Sequence, residues 1–506
     1  MELLTDADLA WLRQRGMNEA EVRRQLALFA APPAPTALAR ACTVGDGIRR
    51  LDEAEHAALL QRWSAAAEAG RLSKFVPASG AASRMFQALA PLLLPEARYD
   101  SAVVAAAALQ GDKVAKQQQA FVAGLPRFAF FEQLGVPAQP DDAQVLAAVR
   151  RLLSPEDEGG LDYLRLPKAL LAFHRATEGV RTAFDEHLHE AASHIRTRDG
   201  VCRLHFTISP AHRAGFDAAA AAAASHAARL GVRFELGFSV QEPYTDTIAV
   251  DLENRPFRQK NGELLLRPGG HGALIDNLAR LGGDVVYVKN IDNVVGDARR
   301  GPTILWKRLL GGLALELEAQ ARALEVRLAR GEAAALPEAL TLARGFGATP
   351  PAGSDLAWAL ARLRRPLRVC GVVKNQGEPG GGPFWVQGED GSVSPQIVES
   401  AQVDLGVAEQ QSIFQGSTHF NPVDLVCCLR DGAGRPHALA DFVDPSAVFL
   451  AKKSHEGREL RALELPGLWN GAMAHWNTVF VEVPAETFAP VKTVLDLLRP
   501  EHQPSL

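Results

Sequence analysis

The chain has 506 residues, 47% of them apolar and 22% charged, the make-up of an ordinary globular protein too long for a single hydrophobic core. Its formal charge of −5, with no dense Lys/Arg block, argues against a nucleic-acid partner and leaves room for small anions. Five cysteines without C-x-x-C spacing exclude a disulfide framework or cysteine zinc site, and with an acidic start and no long uncharged apolar stretch they set the expectation of a cytoplasmic protein without signal peptide or membrane span.

In chain order, Thr5 with Asp8 and Asn18 with Glu21 have capping-box spacing, which predicts two helices over 5–31. A proline-rich connector follows (31–38), and residues 1–70 are expected to form a helical appendage. KFVPASGAASRMFQAL (74–89) reads as a strand, a small-residue loop and a helix from Ser83 to Leu89. In that loop the backbone N–H groups of Ser79, Gly80 and Ala81 can face an anion, with Arg84 adding charge. It also fits a plain tight turn; the Walker pattern is missing. Residues 90–160 read as an inserted helical subdomain.

Pro167 fixes the backbone ahead of Lys168, which reads either as a solvated side chain or as a fixed phosphate contact. Strands at 203–208 and 234–240 flank an alanine-rich helix (217–228), and strands alternating with helices indicate a mainly parallel sheet. Pro268 to Gly272 is a tight glycine loop ahead of an amphipathic stretch and the apolar strand Val285–Val288. In open α/β sheets ligands lie beyond the carboxyl ends of strands, so Asp292, just past this strand, is the candidate metal seat. Gly269, Gly270 and Gly272 lack Cβ atoms, which suits a flat ligand lying against the backbone.

Residues 301–364 are strongly helical and read as a second insertion or an oligomer contact. Residues 365–506 return to strands. A glycine-rich loop after the first of them is either a lid or a hairpin tip, His419 in the polar 417–424 segment stands alone, and a strand over 478–483 follows Asn477. Lys492 lies in a VKT turn ahead of a helix over 494–498.

In this order the segments resemble the UDP-sugar pyrophosphorylases, in particular the UDP-glucose and UDP-N-acetylglucosamine branches. Their first glycine-rich loop is similar to Ser79–Met85, their PK motif to Pro167 and Lys168, and their strand-end glutamine to Gln241. Their P-x-G-H-G loop resembles Pro268–Gly272, their N-x-D-N element Asn290–Asn293, their asparagine-bearing strand WNTVFVEV, and their late VKT turn Val491–Leu498. The signatures VPASGAASRM and KNIDNVV also resemble those of a bacterial family without assigned activity.

The resemblance implies an α/β, GT-A or Rossmann-like nucleotidyltransferase core (71–300) with a mixed, mainly parallel sheet and large helical insertions, completed by 365–506. It implies Mg²⁺-dependent joining of a sugar 1-phosphate to a nucleoside triphosphate of the UTP type, with pyrophosphate leaving. Arg84, Lys168 and Lys492 would meet the phosphates, and Asp292 the metal. Ser79, Gly80, Ala81, Gln241, Gly269, Gly270, His271 and Gly272 would hold the nucleotide; Asn293, Lys374 and Asn477 would hold the sugar or its phosphate. Ser79 and Ala82 stand where these enzymes carry glycine, and a second metal carboxylate is not evident, with Asp246, Asp441 and Asp444 as candidates. A nucleotide-sugar binding protein without catalysis and an ATP-using kinase-like enzyme remain alternatives.

Overall fold

Runs rich in Val, Leu and Phe assemble one nine-stranded sheet. The computed structural model describes residues 4–349, 353–377, 380–388, 392–420 and 423–504. In chain order the strands are β1 (Thr43–Val44), β2 (Gly47–Arg49), β3 (Leu72–Pro77), β4 (Val201–Ile208), β5 (Arg233–Val240), β6 (Val285–Val288), β7 (Leu367–Val372), β8 (Asp424–Cys428) and β9 (Asn477–Glu482). They lie in the order β1-β2-β9-β7-β8-β6-β3-β4-β5. Only β8 runs against its neighbours β7 and β6; every other pairing is parallel. The expected mixed, mainly parallel α/β sheet is therefore present.

Strand period two sends alternate side chains to opposite faces, and both faces of the centre are covered, so β6 is buried along its whole length. Val285 and Tyr287 join Val76, Val369 and Val426 on one face, under the helices Glu53–Glu68, Ala183–His194, Arg213–Leu230 and Arg300–Ala329. Val286 and Val288 join Phe75, Val372 and Phe480 on the other, under the helix Leu274–Arg280 and the 439–476 segment. The long helix approaches closely because of two glycines. A Cβ on Gly311 would lie 1.9 Å from the Tyr287 hydroxyl, and one on Gly312 2.1 Å from the Leu59 carbonyl oxygen.

That packing makes Arg300–Ala329 a covering layer of the core, where the sequence reads as an insertion. The expected appendage over 1–70 also divides. Helices Asp6–Gln14 and Glu19–Ala30 pack on a separate cluster with Ile248, Val250 and Leu463, whereas β1, β2 and Glu53–Glu68 are built into the main sheet and its cover. Strands of two and three residues carry too little periodicity to be read from sequence. Thr5 and Asp8 form the expected capping box; Asn18 caps through Ala20 N.

Two expected helices are tighter 3₁₀ turns. After the first loop, Ser83–Phe86 and Ala90–Leu93 replace a helix over 83–89, since Ala82 offers no capping side chain and Pro91 no N–H. Val494–Leu498 is likewise a single 3₁₀ segment, closed by Pro500. The 90–160 region is helical as expected, and its Phe121, Phe128 and Val149 join the main core. Of the glycine-rich loop after β7 and the 417–424 segment, residues 378–379 and 421–422 lie outside the described residues. No described helix is long and apolar enough to cross a membrane.

Candidate functional site

The carboxyl ends of β3 and β6 are neighbours in the sheet, so the loops that leave them meet. The β3 loop is clamped by backbone bonds: Ala82 N donates to Leu166 O (3.0 Å) and Lys168 N to Gly80 O (3.2 Å). This carries Lys168, after extended Pro167, to the β6 loop, where its Nζ donates to Asp292 Oδ2 (2.8 Å) and Val491 O (2.6 Å). Val491 N donates to Asp292 O (3.0 Å), and Lys492 Nζ reaches the same Oδ2 at 3.2 Å. Asp496 Oδ2 fixes the VKT turn by accepting from Lys492 N and Thr493 N. Three segments distant in sequence thus converge on the Asp292 loop.

Asp292 and Lys168 are largely shielded, with side-chain exposures of 9% and 14%, while Lys492, at 60%, opens to solvent. Burial alone would raise the Asp292 pKa, but Lys492 and Lys168 outweigh it and hold the carboxyl below its usual range. Two ammonium groups around one carboxylate leave a net positive charge, the electrostatics of an anion seat. Beside it, Ser79, Gly80 and Ala81 are exposed. A Cβ at Gly80 would meet nothing within 4 Å, and Gly80 is not among the positive-φ glycines. Neither packing nor backbone conformation therefore requires glycine there, whereas a ligand pressed against the loop would. Arg84, on the turn that follows, is exposed and makes no side-chain hydrogen bond or ion pair with a described residue.

As a metal seat the same groups fit only in company. Asp292 Oδ2 is shared by two lysines, and the described residues hold no cluster of three metal-ligating groups at this point. Mg²⁺ accepts one carboxylate when phosphates complete its shell, so Asp292 suits a metal that arrives with a polyphosphate.

Gln241 follows β5, two strand spacings or about 9.5 Å from β3. Its Nε2 donates to Asp246 Oδ1 at 3.4 Å. The 268–272 loop packs at this end of the edge, but its glycines answer to the protein itself. A Cβ on Gly269 would lie 2.5 Å from Thr245 O, one on Gly272 2.0 Å from Pro466 O, and Gly270 has φ +78°. The space expected for a flat ligand is filled by the chain. His271 Nδ1 accepts from Leu468 N (3.1 Å), and its ring lies 5.2 Å from Trp469. Lys374 is exposed beyond β7, bridged through its backbone to His419, whose Nε2 lies 3.4 Å from Glu482.

Two expected ligand contacts are otherwise engaged. Asn293 is buried; its Oδ1 accepts from Ala489 N (2.9 Å), and its amide donates to Val423 O and Thr487 O. Asn477 opens β9 at the amino edge, about 17 Å from the carboxyl edge by strand rise, and donates to Arg362 O. The asparagine-bearing strand is present, but its direction takes Asn477 away from Asp292.

A family model described as a domain of unknown function, DUF4301, matches residues 5–503. The chain belongs to the DUF4301 family. Among solved structures it is similar to a UDP-N-acetylglucosamine pyrophosphorylase from Trypanosoma brucei (13% identity, TM-score 0.48, covering 98% of this chain and 79% of that one). It is also similar to a UDP-glucose pyrophosphorylase mutant from Leishmania major in complex with UDP-glucose (14%, 0.46, 99% and 81%). No curated protein matches the sequence.

Beneath the Asp292 loop this DUF4301 chain buries a charge network absent from the sequence expectations. Glu190 receives Lys74 (2.6 Å), Lys289 (2.7 Å) and Lys307 (3.3 Å), and Lys307 also pairs with Asp424. Burial, reinforced by Lys307 and Lys289 and opposed by Glu190, pushes Lys74 down to about 7. From the same helix, His187 Nε2 donates to Ile291 O (3.2 Å), bracing the residue before Asp292. The sequence signal was a lysine at each end of an apolar run, in SKFV and VYVKN, where a solvated side chain has no place. A cavity of about 720 Å³ lined by Ser73, His205, Gly237 and Asp284 opens on the amino halves of β3–β5, away from this edge.

Proposed function

We propose that this protein is a nucleotidyltransferase that joins a sugar 1-phosphate to a nucleoside triphosphate of the UTP type and releases pyrophosphate. The observation that carries the reading is the convergence of the exposed Gly80 loop, Lys168 and Lys492 on Asp292 at the carboxyl edge. The ordered sequence motifs support it independently. A sugar phosphate oxygen attacks the α-phosphorus in line, and rate comes from positioning and charge neutralisation. Lys168 and Lys492 meet the phosphates and the departing pyrophosphate, Asp292 orients both ammonium groups, and the N–H groups of 79–81 with Arg84 line the approach. Gln241, at the end of β5, takes the base across the edge. Mg²⁺, held by Asp292 and the phosphates, would neutralise charge on the triphosphate. We place the protein in the cytoplasm, which five unpaired, buried cysteines support.

The occupation of Asp292 Oδ2 by both lysines favours one second reading, a nucleotide-sugar binding protein without turnover. Calorimetry separates them. The first reading expects UTP binding that tightens with Mg²⁺ and weakens about 10- to 100-fold in Lys168→Ala, the scale of one charge-assisted hydrogen bond. Tight UDP-sugar binding indifferent to Mg²⁺, with no turnover, would establish the second.

A further inference from the structure

The helix Ala183–His194 carries a second set of ionisable groups around His189, about 100° round the helix from Glu190. His189 Nε2 lies 2.9 Å from His226 Nδ1, both residues being buried, at 5% and 7% exposure. Glu178, in the turn between the short strands Ala172–Ala176 and Gly179–Thr182, brings a carboxylate oxygen close enough that all three ligand atoms lie within 4.8 Å of one another. Glu178 Oε1 accepts from Arg181.

We propose that Glu178, His189 and His226 form a binding site for a borderline divalent transition metal, of which Zn²⁺ is the representative. Four observations carry it. Two imidazole nitrogens and a carboxylate oxygen are the donor set such ions take, with a fourth position left for water on the Glu178 side, where the residue is exposed. Two nitrogens on a tetrahedral ion at 2.0–2.1 Å stand about 3.3 Å apart, so the imidazoles need separate by only about 0.4 Å. His226 Nε2 faces Asp185 Oδ1 at 3.3 Å, and Thr182 fixes Asp185 in a capping box. A carboxylate beside Nε2 favours the proton on that nitrogen and leaves the Nδ1 lone pair aimed at His189, as where a carboxylate orients a metal-binding histidine. Finally, four carboxylates gather here (Glu178, Asp185, Glu186, Asp297) against three guanidinium groups: Arg181, Arg300 and, toward Glu178, Arg229. The carboxylates outnumber the guanidinium groups by one.

The ligands come from the hairpin turn, the helix Ala183–His194 and the helix Arg213–Leu230, so the ion clasps three elements on one side of the core.

The test is a competitive titration of the chelator-stripped, full-length protein with Zn²⁺, read by metal analysis and by thermal unfolding. One equivalent bound with submicromolar Kd and a raised Tm is expected. His189→Ala and His226→Ala should abolish saturable binding, and Asp185→Asn should weaken it about 10- to 100-fold. Glu178→Gln keeps the size and shape of the side chain and so the fold; it should lose at least about tenfold in affinity through one missing anionic ligand. Absence of saturable binding by the parent protein overturns the proposal. So does binding by folded His226→Ala or Glu178→Gln as tight as the parent's. Neither readout depends on nucleotide chemistry.

Discussion

Gly80 and Gly272 occupy loops of the same edge for opposite reasons. Open space surrounds the missing Cβ of Gly80, so Gly80→Ala should leave urea unfolding unchanged to within about 0.5 kcal/mol and still weaken triphosphate binding, because the methyl group stands where the ligand presses. Gly272→Ala drives a methyl into Pro466 O and should cost about 1–3 kcal/mol of stability. Equal effects of the two substitutions on stability would remove the argument that Gly80 is kept for a ligand. Asn293 is a related case. Its side chain serves three backbone groups, so Asn293→Ala should destabilise by about 1–3 kcal/mol. A folded variant of parental stability with a raised KM for sugar phosphate would instead return Asn293 to the ligand. Residue identities were legible in the motif; how each is used was not, because a glycine freed for a ligand and one crowded by backbone look alike in sequence.

At the scale of elements, the helices Asp6–Gln14 and Glu19–Ala30 are held to the body by an apolar cluster, by hydrogen bonds such as Ile248 N to Gln25 Oε1, and by the ion pair of Asp8 with Arg258, at 2.6 Å. The hydrogen bond from Arg258 is the largest influence on Asp8; against the opposing effect of burial, and helped by Thr5, it lowers the pKa from 3.8 to about 2. A pKa depressed on folding means stability that is present above pH 3.8 and lost as pH falls toward 2. Because Arg258 is partly exposed, solvent screening leaves about 1 kcal/mol at neutral pH. Asp8→Asn should therefore lower stability by that amount at pH 7 and converge with the parent near pH 2, as followed by urea midpoints. A gap of the same size at both pH values would exclude this pairing as the cause. The strands β3 to β6 and the capped helices were legible because period and capping are local. β1 and β2 were not, since two- and three-residue strands are defined by the partners they find, Ile48 against Phe480 among them.

For the whole molecule, sheet order decides what becomes a site. Adjacent parallel strands β3 and β6 put the first loop beside Asp292, and the returning chain after β9 adds Lys492. Sequence order lists these segments but not their distances, and it could not show that β9 carries Asn477 to the far edge. Nor could it show that three buried lysines and Glu190 lie under the Asp292 loop, since that network joins β3, two helices and the end of β6. The same geometry predicts that Mg²⁺ alone, facing Asp292 paired to two lysines, binds weakly, and that calorimetric Mg²⁺ binding appears only once a triphosphate is present. Equally tight Mg²⁺ binding without nucleotide would require a metal shell other than the one described. The most direct test of the account is pyrophosphate release from nucleoside triphosphates and a panel of sugar 1-phosphates with Mg²⁺, using the parent protein, Lys168→Ala and Asp292→Ala. The account predicts release by the parent on at least one pair and a loss of about 100-fold or more in both variants. Silence across the panel, or variants as active as the parent, would contradict it.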